Sequence, residues 1–482
     1  MKIRFLILIL FFLLPAVSSG QRGQGSAERA RGTLRAAVDG ELSGPLFSRC
    51  IAAVEIADAR SGDILYARNT QLLLRPASNV KLYTSAAAVL GLPTDFHFET
   101  RLGATDSSLR TLICIGGGDP LLTQQDIQKL ADMAYDAGVR TLDTLVMDPS
   151  LLREDIYGRG WMWDDESDPF TPYLDAFSID GNVVSVHVRR RRGVTDSLDI
   201  STDPPSALFT FTPVANTRGD GIFRLERRPR GNAFLVYGQP RSTSAVRERF
   251  SIWRPRELVA DLLRRAFAQR GMVTDRTVVT FGDASTAMSM IGGIRRPLDD
   301  VLAAMNKRSD NLAAEMTLRA LTFGTRRMSE GITGDDGLED LVSILVTHGL
   351  DREGFALADG SGISFYNLST AASLGRLLRM LAAHARFPRF RSSLAIGGRD
   401  GTLRARLSGI PTSSGIQAKT GTVRGVSALS GYVEAPGGRL LTVVMLMQNF
   451  SGRHAPYRGV QDHILKHCLA YSAALSRVTA PR

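Results

Sequence analysis

The sequence predicts a mixed α/β protein of the α+β type, in which one folding unit is split by a β-rich inserted region. Long runs with helical spacing of apolar residues lie towards both ends of the chain, as in residues 79–90 and 255–270. Between about residues 100 and 249 the runs are short and rich in β-branched residues, and Gly, Pro and Asp separate them. The composition is 44% apolar and 22% charged over 482 residues, which excludes a disordered or collagen-like chain and suggests more than one domain.

The first twenty residues have the features of a secretory signal. Lys2 and Arg4 precede an apolar run over residues 5–17, and small residues follow that run. The run is shorter than the ~20 residues that cross a bilayer. We therefore expect a cleaved signal over residues 1–20 and an extracytoplasmic or periplasmic protein, with an uncleaved anchor as the alternative. Residues 21–45 are polar and Gly-rich, and we expect them to form a loose leader.

The elements of the split unit follow from apolar spacing and turn residues. Strands over 51–59 and 63–67 flank Arg60-Ser61-Gly62, which predicts a hairpin. A helical run over 79–90 ends at Gly91 and Pro93. Further helices are predicted over 255–270, within 298–320, and over 370–383 and 461–475, and the last strands over 428–433 and 440–448, joined through Pro436-Gly437-Gly438.

The inserted region is predicted to be a set of short strands with one helix over 125–137. Its strands are predicted over 111–115, 144–147, 183–188, 208–211 and 234–237. We therefore divide the chain into a split unit of residues 21–99 plus 250–482 and an insert of residues 100–249.

The three cysteines are too few for a disulfide scaffold. An odd count leaves at least one thiol outside any internal bridge. Cys50 and Cys468 lie near opposite ends of the split unit. A bridge between them stays open beside the favoured alternative of three buried thiols.

Three short motifs follow one another along the split unit, Ser78-Asn79-Val80-Lys81, Ser309-Asp310-Asn311 and Lys419-Thr420-Gly421. Only six of the 59 basic residues are lysine, so two motifs that each contain a lysine would rarely occur by chance. On a helix, the amine of Lys81 lies one turn from the Ser78 hydroxyl. Alone, this pair is typical of a capped helix with a surface lysine, but the three motifs together favour a nucleophilic site.

The residue types of the first two motifs fit acyl transfer. A serine hydroxyl becomes an effective nucleophile when a neighbouring base removes its proton. Lys81 can act as that base only when neutral, which requires burial and nearby positive charge, and Lys419 would supply the charge. We expect Asn311 to accept a hydrogen bond from Lys81 and to donate one to a substrate carbonyl. Ser309 can relay a proton to the leaving amine.

The third motif predicts a binding site for a carboxylate. Lys419, Thr420 and Thr422 bring together a cation and two hydroxyl groups, with Gly421 between the threonines. Such a site implies a substrate with a free C-terminus. No metal ion or organic cofactor is needed, because a covalent acyl-enzyme carries the reaction.

The motifs and their surroundings resemble the D-alanyl-D-alanine carboxypeptidase/endopeptidase family, the class C low-molecular-mass penicillin-binding proteins. The same three motifs occur in class A β-lactamases and in penicillin-binding proteins generally. The matching phrases are residues 76–81, 116–120, 160–165, 305–311, 359–362, 400–403 and 418–422. The stretch from Ser78 to Ser309 is far longer than in β-lactamases, and the family places extra domains there.

The resemblance implies a serine transpeptidase/β-lactamase-like domain that is split by the β-rich insert. The split unit of residues 21–99 plus 250–482 is then the catalytic unit. It implies that Ser78 is the acylated nucleophile and Lys81 the base, with the second and third motifs completing the site. The backbone N–H groups of Ser78 and Thr422 would form the oxyanion hole. The implied substrates are peptidoglycan stem peptides, by removal of terminal D-Ala or cleavage of D,D-crosslinks, and β-lactams would acylate the same serine.

Two departures from the family pattern concern substrate preference. Phe365 stands where a basic residue is usual, and the position of Met162 often holds another apolar residue or Pro. Two other functions remain as alternatives. A β-lactamase would need a water-activating carboxylate, of which the sequence shows no recognisable equivalent. A non-catalytic wall-binding protein would have no need of intact Ser78, Lys81 and Lys419.

Other clusters carry weaker signals. Residues 161–165 predict an aromatic turn that anchors the insert, with a substrate pocket as the alternative. His463, His467 and Cys468 have helical spacing, but one helix supplies too few metal ligands. Residues 189–192 predict a solvated basic rim, and the net charge of +11 leaves open a weak association with an anionic wall polymer or membrane surface. No nucleic-acid recognition motif occurs, so we expect no such partner.

Overall fold

The computed structural model describes residues 19–152, 156–191, 197–214, 222–240, 245–274, 277–282, 288–323, 331–407, 409–410, 415–434 and 438–479. The helices in these ranges are, in chain order, α1 (Ser19–Leu42), α2 (Val80–Gly91), α3 (Gln124–Asp136), α4 (Pro255–Gln269), α5 (Leu298–Lys307), α6 (Asn311–Ala320), α7 (Gly334–Thr347), α8 (Ala371–Ala382), α9 (Phe387–Ser393) and α10 (Ala455–Thr479). The strands are β1 (Ile51–Asp58), β2 (Ile64–Arg68), β3 (His97–Ala104), β4 (Thr111–Ile115), β5 (Thr144–Asp148), β6 (Val183–Arg190), β7 (Leu198–Asp203), β8 (Thr210–Val214), β9 (Arg224–Arg227), β10 (Ala233–Tyr237), β11 (Val246–Ser251), β12 (Val278–Phe281), β13 (Ser289–Pro297), β14 (Phe355–Ala356), β15 (Leu368–Ser369), β16 (Ala395–Ile396), β17 (Ile416–Val423), β18 (Val426–Glu434) and β19 (Leu440–Gln448).

The two ends of the chain share one six-stranded antiparallel sheet in the order β16-β17-β18-β19-β1-β2. Alternate residues of β1 face opposite sides of this sheet. On one side, Val54 and Ile56 join a core with α1 and α10. On the other side, Ala53 joins a core with α2 and helices α5 to α9. The result is a three-layer unit with a sheet between two helical layers.

The inserted region contains three smaller sheets and its own hydrophobic core. The sheet orders are β12-β5-β4-β3-β13, β11-β6-β7 and β8-β10-β9. Helices α3 and α4 pack against each other, and their apolar faces join the same core as these strands. The segment between β5 and β6 packs against the catalytic unit instead. Its Leu151, Trp161 and Leu174 join the core of that unit.

The insert core does not end at residue 249. Strand β13 pairs with β3 from Ser289↔Ala104 to Pro297↔His97, and α4 buries Leu258, Leu263 and Phe267 in the insert core. The sequence-based division at residue 250 therefore cuts through one core. We propose instead that the insert runs to residue 297 and that the catalytic unit resumes at α5.

Most predicted elements are present with shifts of a few residues at their ends. The hairpin is formed by β1 and β2, the first helix is α2, and the last two strands are β18 and β19. Residues 435–437, predicted as part of their connection, lie outside the described residues. The predicted helix over 298–320 is two helices, because the chain leaves helical geometry at Ser309, where φ is +61°.

The prediction of a loose leader over 21–45 is wrong. Helix α1 runs to Leu42 and packs against α10 and β2. Leu34, Val38 and Leu42 are each 2% exposed or less. Their spacing of four residues places them on one helix face, and tertiary packing of that face stabilises a helix whose glycines lower its intrinsic propensity.

The described cysteines are free thiols, so the bridge between Cys50 and Cys468 does not form. Cys114 and Cys468 are buried, as favoured from the sequence, whereas Cys50 is half-buried. Burial raises the pKa of both the Cys114 and the Cys468 thiol to about 12. Among the helices described, none is long and apolar enough to cross a membrane. Residues 1–18, most of the predicted signal, lie outside the described range.

Candidate active site

Ser78 lies in a single 3₁₀ turn, Ala77–Asn79, that leads directly into α2. The turn is tightly held. Ala77 has a φ of +49°, and a Cβ on Gly362 would lie 2.0 Å from the Ala77 carbonyl oxygen. A Cβ on Gly421 would lie 2.8 Å from the carbonyl oxygen of Pro76. Two glycines therefore let a loop and a strand approach the backbone on either side of the serine.

Lys81 is completely buried in the first turn of α2. Its Nζ lies 3.3 Å from Ser78 Oγ, 2.6 Å from Asn311 Oδ1 and 2.5 Å from the carbonyl oxygen of Ser361. The first and second motifs, separated by more than two hundred residues of sequence, therefore meet at this amine.

Burial lowers the pKa of Lys81 to about 8. The nearby carboxylates of Asp359, Glu315 and Asp310 oppose this shift, so desolvation is the larger effect. Lys419 is also completely buried, and both burial and repulsion from Lys81 hold its pKa well below the ordinary value. The sequence predicts that Lys419 helps to lower the pKa of Lys81, but that shift comes from burial. Besides burial, repulsion between the two amines lowers the pKa of Lys419 instead.

Ser309 and Asn311 lie where α5 ends and α6 begins. Asp310 caps α6, since its carboxylate accepts a hydrogen bond from the N–H of Ala313 at 2.9 Å. This cap fixes the turn that presents Ser309 Oγ to Lys419 Nζ at 2.9 Å. The amide nitrogen of Asn311, expected to meet a substrate carbonyl, here donates to the carbonyl oxygen of Phe170 at 2.7 Å.

Strand β17 carries the third motif. Lys419 Nζ also donates to the carbonyl oxygen of Thr420 at 2.7 Å, and Thr420 Oγ1 donates to Thr402 Oγ1 at 2.8 Å. Thr422 is exposed at the end of the strand. The lysine therefore lies beneath the surface that its two threonine neighbours form.

The predicted residues surround one open cleft of about 650 Å³. Five of them line it directly, and Lys81 and Lys419 lie buried behind it. The lining is formed by Ser78, Asp165, Asp168, Phe170, Thr171, Arg308, Ser309, Asn311, Gly362, Ile363, Thr402, Ala405, Arg406, Thr420, Thr422, Val423 and Arg458. Gly421 contributes close packing rather than a wall of the cleft. A second cavity of about 480 Å³ adjoins the first and shares four lining residues with it, Phe170, Arg308, Ser309 and Asn311.

Some residues in or behind the cleft were not predicted from the sequence. Glu315 is buried one turn into α6, pairs with Arg319 at 3.2 Å and accepts from the N–H of Gly360 at 3.0 Å. Its i,i+4 spacing from Arg319 was the only signal available. Burial and repulsion from Asp359 raise the pKa of Glu315. Arg458 belongs to none of the three motifs, so no sequence pattern indicated that it would line the cleft.

Asp359 organises the loop behind the nucleophile. Its carboxylate accepts hydrogen bonds from the N–H groups of Gly362 and Ser364, both at 2.7 Å, and from Trp161 Nε1 at 3.0 Å. Trp161 thus anchors its segment, as predicted, while Asp165 of the same turn lines the cleft. Trp163 is 86% exposed; it neither anchors the segment nor lines the cleft.

The remaining candidate clusters have structural partners. His463 and His467 both lie beside the carboxylate of Glu41, at 3.2 and 3.4 Å, which joins α10 to α1. Within the described ranges, no group of three or more His, Cys, Asp or Glu is arranged to hold a metal ion. Phe365 lies under the guanidinium of Arg75, whose Cζ is 4.9 Å from the ring centre.

Comparison with known proteins places this site in a family. The sequence model of the D-Ala-D-Ala carboxypeptidase 3 (S13) family matches residues 34–464. A D-alanyl-D-alanine carboxypeptidase of Actinomadura sp. (strain R39) is 29% identical over 490 residues, which cover 96% of this chain and 90% of that protein. The D-alanyl-D-alanine carboxypeptidase DacB of Haemophilus influenzae is 26% identical over 398 residues, covering 80% of this chain and 82% of its own.

The fold is also shared with a solved structure. The crystal structure of penicillin binding protein 4 from Haemophilus influenzae has a TM-score of 0.78 at 23% identity and covers 90% of this chain and 99% of that one. A structure of the same protein complexed with a β-lactam has a TM-score of 0.75 at 22% identity and covers the same shares of the two chains. These likenesses confirm the predicted fold class. Since the family model spans most of the sequence, the chain belongs to the D-Ala-D-Ala carboxypeptidase 3 (S13) family and is a serine D,D-peptidase.

Proposed function

We propose that Ser78 is the nucleophile with which this peptidase removes terminal D-Ala from peptidoglycan stem peptides and cleaves D,D-crosslinks. The observation that carries the assignment is the position of Lys81 Nζ, which is buried, 3.3 Å from Ser78 Oγ and in contact with Asn311. A serine and a base in hydrogen-bond contact, with the base held by a third group, form the usual arrangement of an activated nucleophile.

Acylation begins when neutral Lys81 takes the hydroxyl proton of Ser78. Oγ then forms a bond to the carbonyl carbon of the penultimate D-Ala, and the carbonyl oxygen becomes an oxyanion. The backbone N–H groups of Ser78 and Thr422 stabilise this oxyanion. Preorganised donors of this kind stabilise developing charge without reorganisation, and loss of one typically costs about 100-fold or more in rate.

The leaving group departs on the side of Ser309. The C–N bond breaks, and the leaving nitrogen takes a proton from the Ser309 hydroxyl, which is replenished from Lys419 at 2.9 Å. When water attacks the acyl-enzyme, the proton first taken by Lys81 passes to Ser78 Oγ, and the proton that the water gives up returns through Ser309 to Lys419. The ester bond then breaks, the shortened peptide leaves with a new carboxylate, and Ser78 is regenerated.

We propose the same acylation for β-lactams. When the β-lactam ring opens, the leaving nitrogen stays covalently attached to the acyl-enzyme. It therefore cannot diffuse away and remains in the cleft. The Haemophilus relative of the same fold has been solved with a β-lactam. The sequence shows no recognisable equivalent of the water-activating carboxylate of a β-lactamase, so we expect a long-lived adduct.

The proposed substrates imply a location outside the cytoplasm. We propose that residues 1–20 are a secretory signal that is removed during export, because they have a basic start and a short apolar run. N-terminal sequencing of the protein recovered from the extracytoplasmic fraction tests this assignment. An intact Met1 in the exported protein would contradict it.

The decisive experiment for Ser78 is covalent labelling. Mature protein is incubated with a fluorescent penicillin beside the variants Ser78→Ala and Ser85→Ala, and adducts are read by denaturing gel and mass spectrometry. We expect one adduct per chain, lost in Ser78→Ala and kept in Ser85→Ala, whose hydroxyl bonds to the helix backbone instead. An adduct that survives Ser78→Ala would contradict the assignment. Rapid release of hydrolysed drug would favour the β-lactamase alternative.

A further inference from the structure

Arg458 lies in the first turn of α10, which is docked onto the end of β17. His454, just before that helix, lies with Nε2 3.0 Å from the carbonyl oxygen of Val423. The N–H of Arg458 donates to the carbonyl oxygen of His454 at 3.1 Å, and Arg406 Nη2 donates to the carbonyl oxygen of Arg458 at 3.2 Å. The backbone of Arg458 is therefore held on two sides while its side chain lines the cleft beside Thr422.

Three arginines line the cleft, and they differ in their partners. Arg406 is paired with Asp462 at 2.7 Å, and Arg308 lies 3.8 Å from Asp310. Arg458 is exposed and has no ion pair among the described residues, and its Nη2 lies 3.5 Å from Thr422 Oγ1. A guanidinium without a carboxylate partner, beside a free hydroxyl in a substrate cleft, is suited to a carboxylate of the substrate.

Lys419, expected from the sequence to bind that carboxylate, is placed elsewhere. Its amine is fully buried, and its hydrogen bonds go to Ser309 Oγ and the carbonyl oxygen of Thr420. Burial and repulsion from Lys81 also disfavour its charged form. Arg424 and Arg458 are both exposed near this end of β17, and of these two Arg458 lines the cleft.

We propose that Arg458, together with Thr422, binds the carboxylate next to the scissile bond and so determines the specificity of the peptidase. This inference rests on the proposed function of Ser78. Terminal D-Ala carries a carboxylate on the carbon attached to the leaving nitrogen. A crosslink to the carboxylate-bearing centre of a diamino acid carries the same group at the same place. Arg458 can therefore bind the substrate in both the removal of D-Ala and the cleavage of crosslinks. A diamino acid whose carboxylate is amidated would lose its ion pair with Arg458.

The test compares two substrates in each variant. One is diacetyl-L-Lys-D-Ala-D-Ala, and the other is the same peptide with a C-terminal amide. In the unmodified enzyme we expect kcat/KM for the acid to exceed that for the amide. Arg458→Ala should lower kcat/KM for the acid by about 10- to 100-fold, as expected for loss of a hydrogen bond to a charged group, and leave that for the amide within about twofold. Arg458→Lys should restore part of the preference, because it keeps the charge without the planar fork.

Arg453→Ala is the matched control, since Arg453 is an exposed arginine of the same segment that does not line the cleft. It should leave both substrates unaffected. Equal losses for acid and amide in Arg458→Ala, or no loss for either, would overturn the proposal. Penicillin labelling at Ser78 is measured in parallel. If the wild-type protein fails to label, the assignment of Ser78 as nucleophile is refuted. If labelling is normal and Arg458→Ala keeps the preference for the acid, the role of Arg458 alone is refuted.

Discussion

The Lys81 amine is subject to two opposing influences, and their balance sets the working pH of the site. Burial removes the ammonium from water and lowers its pKa, whereas the carboxylates of Asp359 and Glu315 raise it. The result is a pKa of about 8. At neutral pH roughly a tenth of the amine is then neutral, since each unit between pH and pKa is a factor of ten.

The rate of acylation is therefore expected to follow the neutral fraction of Lys81. The second-order rate constant for a fluorescent penicillin should rise about tenfold per unit below pH 7 and level off above about pH 8. Stopped-flow fluorescence between pH 5.5 and 9.5 measures it. Lys81→Arg should abolish acylation throughout this range, because arginine stays protonated. Lys129→Arg, an exposed lysine paired with Asp126, is the control and should keep the profile. A rate independent of pH would contradict this role for Lys81.

The residues to which we assign the reaction were predicted from the sequence, and the structure brings them together at one cleft. The arginine to which we assign recognition of the carboxylate was not predicted. Ser78, Lys81 and Asn311 were found because their motifs have fixed internal spacing. Arg458 has no such motif, and its position depends on how α10 docks against β17. Its proximity to Thr422 arises from tertiary structure alone, so pattern analysis could not detect it.

At the scale of elements, α1 shows how packing overrides a weak local signal. Its sequence contains glycines at positions 20, 23, 25, 32 and 40, which favour a loop over a helix. The apolar residues Leu34, Val38 and Leu42 are few, but they all lie on the face that meets α10. Isolated helices of this kind are marginal in water, so α10 supplies most of the stabilisation.

Leu34→Ala tests this packing. Leu34 is 2% exposed, so its truncation should lower the free energy of unfolding by about 2–4 kcal/mol, the usual cost of a cavity in a core. Penicillin acylation should be unchanged, because Leu34 does not line the cleft. Urea unfolding followed by circular dichroism measures the loss. Leu72→Ala, a leucine that is 45% exposed, should change stability by less than about 0.5 kcal/mol. Equal stabilities for the two variants would show that α1 is not docked.

At the scale of the whole molecule, the insert and the catalytic unit are joined through the chain segment between β5 and β6. The carbonyl oxygen of Phe170 accepts from Asn311 in the cleft, and Trp161 bonds to Asp359 behind it. The sequence predicts an insert that ends at residue 249, whereas we propose that it runs to residue 297. Strand β13 pairs with β3 across almost two hundred residues, and a pairing that distant leaves no local pattern.

The bond between Trp161 and Asp359 predicts an energetic coupling between the insert segment and the nucleophile loop. Trp161→Phe keeps a buried ring but removes the donor, and Asp359→Asn weakens the acceptor. Each change should lower the free energy of unfolding by about 1–3 kcal/mol, because it leaves a buried polar group without its partner. The double variant should be more stable than the sum of the two losses implies, by about 1 kcal/mol, since the second change removes a bond already broken.

Urea unfolding of the four proteins of this cycle gives the coupling free energy. Trp163→Phe is the control, since Trp163 is 86% exposed and should change stability by less than about 0.5 kcal/mol. Penicillin acylation is compared above pH 9, where Lys81 is neutral, because loss of the Asp359 charge would itself lower the pKa of Lys81. There it should fall in Asp359→Asn by more than in Trp161→Phe, because Asp359 also fixes the N–H groups of Gly362 and Ser364 beside the Ser78 turn. Strictly additive losses would show that this bond does not couple the two parts.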